Sequence, residues 1–265
     1  MEIISKISKG TKMDQIYIPK NRQGFNTGSY VIIKPIETQK KLEKPYFYNI
    51  QQIEPIKLEI INEIFSIINS ISPENIIITG SFIESGFNFN DMDILIITND
   101  KIKEKNIEKQ IEDKIKIETH VITMDETLLR EGLSTDPIWR MMISTCISKK
   151  RLIPFPKIRL NYKLLDIQLL KSKSLLDNFD YLNGNEKYKS IRNMVAILLF
   201  IKNKKINKRI VNEKIEELFK IGIEELKQNM LDKKSFIKKY KKIYNEIFNK
   251  IMKGIENATK QEKIN

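Results

Sequence analysis

The chain has 265 residues, 41% of them hydrophobic, and a formal net charge of +13. That is enough to bury a sizeable core and too apolar for a disordered polyelectrolyte. The single cysteine, Cys146, excludes an internal disulfide, and the single histidine, His120, excludes His-rich zinc chemistry. No apolar run approaches the roughly 20 residues of a membrane span. Glu2, Lys6 and Lys9 interrupt the apolar start that a signal peptide needs. The expectation is a cytoplasmic protein, with no membrane partner, whose chemistry rests on carboxylates.

The charge is uneven. Residues 1–44 hold nine basic and four acidic side chains, residues 45–150 eleven and seventeen, and residues 151–265 twenty-seven and thirteen. An acidic centre between basic ends suggests a polyanion, RNA or DNA, held by the ends. Biased composition is the plainer account, since Ile, Lys and Asn dominate and Arg occurs only seven times. Bias alone would raise Lys evenly, and here it is not even.

Residues 1–37 read as short strands and turns. Gln15-Ile16-Tyr17-Ile18 alternates and stops at Pro19; Gly24 and Gly28 mark turns; Tyr30-Val31-Ile32-Ile33 is a second strand before Pro35. So short a β unit needs a partner to bury its surface. Glu37 to Lys44 reads as a linker. From residue 55 the period becomes helical, with Ile56, Ile60, Ile61, Ile64, Ile67, Ile68 and Ile71 on one face up to Ser72-Pro73. Asn75–Thr79 and Asp93–Thr98 read as strands, Lys103–Lys114 as a helix and Ile115–Thr123 as a third strand. Asp136-Pro137 is an N-cap followed by proline at the first helical position, and predicts a helix running toward Ser148 with Trp139 and Cys146 in its core. Pro154 and Pro156 mark a boundary. The remainder reads as helices over 162–181, 187–201 and 211–228. In a last helix Phe236, Tyr240, Ile243, Tyr244, Ile247, Ile251 and Ile255 keep a 3.6 period opposite Lys238, Lys239, Lys241 and Lys242. Tyr240 and Tyr244 are expected in its core. No internal repeat is evident. The expected architecture is α+β: a small β unit and linker over 1–44, a mixed-sheet domain over 45–155 and a basic all-α bundle over 156–265.

The segment with the most chemistry is Ile76 to Ile97. One apolar strand runs into Gly80-Ser81, and a second opens with Asp91-Met92-Asp93. Residues two apart in a strand share a face, so both carboxylates point the same way at the edge of an apolar sheet. Such a pair repels unless a cation sits between, and hard oxygen ligands suit Mg²⁺ or Mn²⁺. Gly80 lets backbone approach a phosphate closely, and Ser81 can donate a hydrogen bond to it.

This pattern of apolar strand, Gly-Ser, ten residues and Asp-x-Asp entering a second strand resembles the nucleotidyltransferase superfamily with the DNA polymerase beta fold, over residues 55–153. The resemblance implies that Asp91 and Asp93, with a third carboxylate on a later strand, bind divalent metal and act in catalysis, while Gly80 and Ser81 hold the triphosphate of an NTP. Glu118 is the candidate third ligand, and His120 on the same strand face is a structural or supporting residue. The implied activity is transfer of a nucleoside monophosphate to a hydroxyl of RNA, protein or a small molecule. The alternative is a nucleic-acid-binding or ribonucleoprotein-associated module on a degenerate version of that fold. Many members carry a basic residue soon after Gly-Ser and a Ser or Gly before the first Asp. Here Glu84 and Asn90 stand in those regions, and a carboxylate near a triphosphate is unhelpful unless it points away.

Ile7-Ser8-Lys9-Gly10, Gln15 to Lys20 and Gly28 to Ile33 resemble an AbrB-like swapped-hairpin unit, which implies a homodimer through residues 1–37 and DNA contact. Ser29 replaces the usual Asp. The helical tail resembles the partner domains that follow small nucleotidyltransferases. A ribonuclease motif of the HEPN type needs a His, and none follows His120. Lys202, Lys204, Lys205, Lys208 and Arg209 form the densest basic run, read either as an interhelical loop that touches nucleic-acid phosphate or as a solvated turn.

Overall fold

Pro55 fixes the backbone at the first position of a helix, and the stripe Lys57, Ile61, Ile64, Phe65 and Ile68 behind it gives that helix a buried face. In the computed structural model, which describes residues 5, 7–20, 24, 26–28, 31 and 44–262, this helix is α1 (Pro55–Ile68). The chain divides into two compact units, Met1–Leu42 and Glu43–Asn265. In the first, β1 (Ile7–Ser8) pairs antiparallel with β2 (Gln15–Ile16), Ile7 opposite Ile16. Tyr30, Ile32 and Ile33 of the second predicted strand, and residues 37–43 of the predicted linker, lie outside the described residues.

The second unit mixes helix and sheet. Its five strands are β3 (Tyr46–Tyr48), β4 (Asn75–Thr79), β5 (Asp91–Ile97), β6 (Glu118–Met124) and β7 (Cys146–Ser148), in the spatial order β3-β7-β4-β5-β6. Neighbours are antiparallel except β5 and β6, which are parallel. A parallel pair needs a crossover, and α2 (Glu104–Ile115) supplies it, ending at Lys116 in the left-handed region (φ 58°). The sheet is covered on both faces. Met92, Ile94, Ile96 and Val121 pack with α1 and α2, whereas Ile77, Leu95 and Ile97 pack with α3 (Glu126–Thr135) and α4 (Pro137–Ile143). Asp125 caps α3 by accepting from the Leu128 amide; Asp136 caps α4 by accepting from Ile138 and Trp139.

The helix predicted to run from Asp136 toward Ser148 ends at Ile143. Residues Cys146–Ser148 leave it to pair with β3 and β4, so Cys146 is a buried strand residue. The β-branched Thr145 and Ile147 favour that extended stretch, and the gap beside β4 offers two ladders of hydrogen bonds.

The C-terminal half is all helical: α5 (Tyr162–Asp177), α6 (Gly184–Ile201), α7 (Lys208–Phe219), α8 (Ile223–Lys227) and α9 (Lys233–Glu262). The single helix expected over 211–228 is two, because Lys220 adopts a left-handed backbone (φ 56°) and Gly222 starts α8. Helix α6 begins earlier than expected, through a capping box of Asn183 and Glu186. It is buried along most of its length and forms the centre of the bundle. The period read for α9 holds: Phe236, Tyr240, Ile243, Tyr244, Ile247 and Ile251 are buried, and the Tyr240 hydroxyl donates to the Ser172 carbonyl at 2.7 Å. Met141 of α4 belongs to the bundle core, which joins sheet and bundle within one unit. Among the described residues no helix is long and apolar enough to cross a membrane.

Candidate active site

Strand register places the predicted residues. Thr79 faces Asp93, Asp93 faces His120, and Asp91 faces Glu118. Strand partners in register share a face, so Asp91, Asp93, Glu118 and His120 all stand on the face that also carries Leu95 and Ile97. Asp91 and Asp93 open β5 at the end of the sheet where β4 gives way to Gly80. Gly80 has φ +88°, and a Cβ there would lie 2.3 Å from Asp93 Oδ2. The turn and the carboxylate are thus in contact, and only glycine satisfies both the backbone and the space.

Burial, and then the negative charge of Asp91, raises the Asp93 carboxyl above the ordinary carboxylate range; His120 and Lys189 pull it the other way. His120 Nε2 lies 3.5 Å from Asp91 Oδ2. Glu118 is exposed and sits in the row of Asp91. The structure therefore brings Asp91 and Asp93 together as expected. Among the described residues, however, no group of three or more His, Cys, Asp or Glu side chains stands close enough to hold a metal ion. Asp91 and Asp93 fit one hard divalent cation in kind, as a carboxylate pair whose mutual repulsion a cation would relieve; Glu118 does not close a three-carboxylate cage with them.

The loop from Ser81 to Asn90 is held from below by a residue the sequence reading passed over. The Lys57 side chain is fully buried, and its Nζ donates to the carbonyls of Glu84 and Gly86. It lies 3.1 Å from Glu54 Oε2 and 5.3–5.7 Å from the ring centres of Phe82, Phe87 and Phe89. Glu54 Oε1 accepts from the Gly86 amide, and that bond is the main cause of its lowered pKa. The signal was present: Lys57 falls on the apolar stripe of its helix, where a cation needs partners.

Glu84 does not aim at the strand ends unopposed. Its carboxylate pairs with Lys208 at the start of α7. The positive charge of Arg192 on α6 acts on Tyr188, and Arg192 in turn feels Glu84. Lys189, one turn earlier on α6, is the residue whose charge reaches Asp93. So the bundle contributes Lys189 and Arg192 to the surroundings of the Gly-Ser loop. Neither has a sequence signature, because each reaches the site from about a hundred residues away.

The basic run is divided. Lys202 to Asn207 form the turn between α6 and α7, and Lys208 and Arg209 open α7. Lys208 is engaged with Glu84, Arg209 is 3.4 Å from Glu213, and Lys202 is 3.9 Å from Glu246. Lys204 and Lys205 are exposed and have no ion pair among the described residues.

No protein-family model, curated protein or solved structure matches the chain.

Proposed function

We propose that the second unit is a metal-dependent nucleotidyltransferase that moves a nucleoside monophosphate from an NTP to a hydroxyl acceptor, on the nucleotidyltransferase fold that its motif resembles. The observation that carries this reading is the packing of Gly80 against Asp93, with Asp91 on the same strand face. A glycine turn without room for a Cβ, beside paired carboxylates at an open sheet end, suits a phosphate chain and its counter-ion.

In this reading Asp91 and Asp93 hold Mg²⁺ or Mn²⁺, which when bound neutralises phosphate charge and favours the ionised form of an attacking hydroxyl. Ser81 donates to a phosphate oxygen. Lys189, whose charge reaches Asp93, and Arg192, which feels Glu84, take the outer phosphates. The acceptor oxygen forms a bond to the α-phosphorus, the bond from that phosphorus to the bridging oxygen breaks, pyrophosphate leaves and the hydroxyl proton passes to water. The Lys208 pair keeps Glu84 from facing the phosphates as an unpaired charge. Glu118 would complete the ligand set by a change of side-chain rotamer, since it shares both row and face with Asp91.

A second reading, a nucleic-acid-binding module on the same fold without transfer activity, draws on the separation of Glu118 from the two aspartates. Calorimetry with each NTP, with and without Mg²⁺, separates the two. The transferase reading expects Mg²⁺-dependent binding of at least one NTP, lost in Asp91→Ala/Asp93→Ala with the melting temperature held or raised, because removing like charges relieves repulsion. A double variant that melts many degrees lower would mean that the carboxylates are structural.

A further inference from the structure

A cavity of about 540 Å³ opens elsewhere in the second unit, between the β3 edge, the end of α4, residues 151–155 and the α6–α7 turn. Its walls are apolar, with Tyr48, Leu152, Phe155 and Ile206 among them, and three cations line it: Arg140, Arg151 and Lys205. No Asp or Glu lines it, and none of the three cations has a carboxylate partner among the described residues. Arg140 is fixed in place. One of its terminal nitrogens donates to the carbonyls of Leu133 and Pro156 at 2.6 and 3.0 Å, and its guanidinium stands 5.4 Å from the centre of the Phe155 ring. Arg151 stands 6.0 Å from the Tyr46 ring. An arginine used in this way remains charged and keeps further N–H groups to offer.

The cavity is also placed with respect to the strand ends. Tyr48 faces Cys146 in register. The ladder of β7 with β4, carried one residue on from Ile78 and Ile147, sets Cys146 beside Thr79, and Thr79 faces Asp93. Tyr48 and Asp93 therefore stand in one row on one face of the sheet. Three strand spacings separate them, about 14 Å. Between them Cys146 and Thr79 are buried beneath the end of α4, where the Met142 and Thr145 carbonyls accept from the Thr79 hydroxyl, so the cavity is separate from the strand-end carboxylates.

We propose that this cavity binds a small anion: an aromatic or apolar body that carries phosphate or carboxylate. Three cations without acidic partners beside apolar walls favour such a molecule and disfavour a polycationic one. The binding of an aromatic anion here does not rest on the transferase reading.

The test uses the full chain, labelled for NMR, and four probes that share a ring: phenyl phosphate, benzoate, benzyl alcohol and benzylamine. Phenyl phosphate or benzoate should move the amide signals of Asn49, Ser144 and Asn207, which line the cavity, and bind at least tenfold tighter than the alcohol or the amine. Which of the two binds tighter tells phosphate from carboxylate. Arg151→Gln/Lys205→Gln, at two exposed positions, should weaken the anion at least tenfold with no change in melting temperature. Asp91→Asn/Asp93→Asn should leave it bound, with or without Mg²⁺. Equal affinity for charged and neutral probes, an anion indifferent to the Arg151/Lys205 change, or one lost with the aspartates would each overturn the proposal. A wild type that binds the anion but no NTP, with or without Mg²⁺, would count against the transferase reading alone.

Discussion

At the scale of single residues, the state of the strand-end carboxylates is set by burial and mutual repulsion. In the absence of a divalent cation the Asp93 carboxyl is raised, chiefly by desolvation and next by Asp91. A raised acid disfavours folding once it ionises: no penalty exists below the ordinary carboxylate range, and stability is lost as pH rises through the raised value. Asp93→Asn should therefore raise the melting temperature at pH 7 in a chelating buffer. The gain should shrink toward zero as the pH falls below the ordinary carboxylate range. Adding Mg²⁺ should raise the wild-type melting temperature and leave that of Asp93→Asn in place. A variant less stable than wild type at pH 7 with chelator would show that the carboxylate is a structural acceptor. Gly80→Ala acts on the same contact from the other side. Its Cβ meets Asp93 and its φ of +88° is costly for alanine, so about 2 kcal/mol of stability should be lost in urea unfolding. Mg²⁺-dependent nucleotide binding should go with it.

At the scale of elements, the Gly-Ser loop is irregular from Ser81 to Asn90 and owes its order to Lys57. Burying an ammonium is unfavourable unless its protons are used, and here two carbonyls, one carboxylate and three aromatic faces use them. Lys57→Met keeps the apolar stem and removes the charge. It should cost about 3 kcal/mol, since charged hydrogen bonds are lost and the carbonyls of Glu84 and Gly86 are left in a buried place. Hydrogen exchange should accelerate over residues 82–90 more than in β4 and β5. Uniform acceleration instead would mean that Lys57 serves the α1 core at large. Glu54 adds a pH dependence. Its pKa is lowered, first by the Gly86 amide, so its contribution is full above the ordinary carboxylate range and fades as the pH falls through the lowered value.

The same loop shows what a sequence can tell. Asn75–Thr79, Gly80 and the opening of β5 were legible because a buried strand and a glycine turn are local patterns. The three-residue strands β3 and β7 were not, since their stability comes from neighbours far along the chain: Tyr46 pairs with Ser148. Helix α3 went unassigned although its signals were local: Asp125 supplies its N-cap, and Leu129 and Leu133 recur one turn apart on its buried face. Lys189 and Arg192 could not be placed near the site without knowing that their charges on α6 come within reach of Asp93 and Glu84. Glu84 looked ill-suited to a phosphate site until Lys208 was seen to answer it.

At the scale of the whole molecule, the excess of positive charge over residues 151–265 divides into paired and unpaired cations. Lys202, Lys208 and Arg209 each have a carboxylate partner, and Lys239 donates to the Phe219 carbonyl. A paired cation adds little to phosphate binding, because its counter-charge must first be displaced. The α6–α7 turn therefore offers Lys204 and Lys205 rather than all five cations of the run. Each phosphate neutralised contributes about 0.7 to 0.9 to the slope of log affinity against log salt. Lys204→Gln should flatten that slope by roughly one such step on any RNA or DNA sequence, since phosphate contacts do not read bases. Lys204 does not line the cavity, so its loss should leave phenyl phosphate binding as it was. Lys208→Gln should change the slope less than Lys204→Gln and disturb Mg²⁺-dependent nucleotide binding more, because it frees Glu84 beside the Gly-Ser loop. Fluorescence anisotropy of a labelled single strand over a salt series measures the slopes. If the wild type shows no affinity at low salt, the excess charge is a property of composition, and the acceptor is a small molecule or a protein side chain.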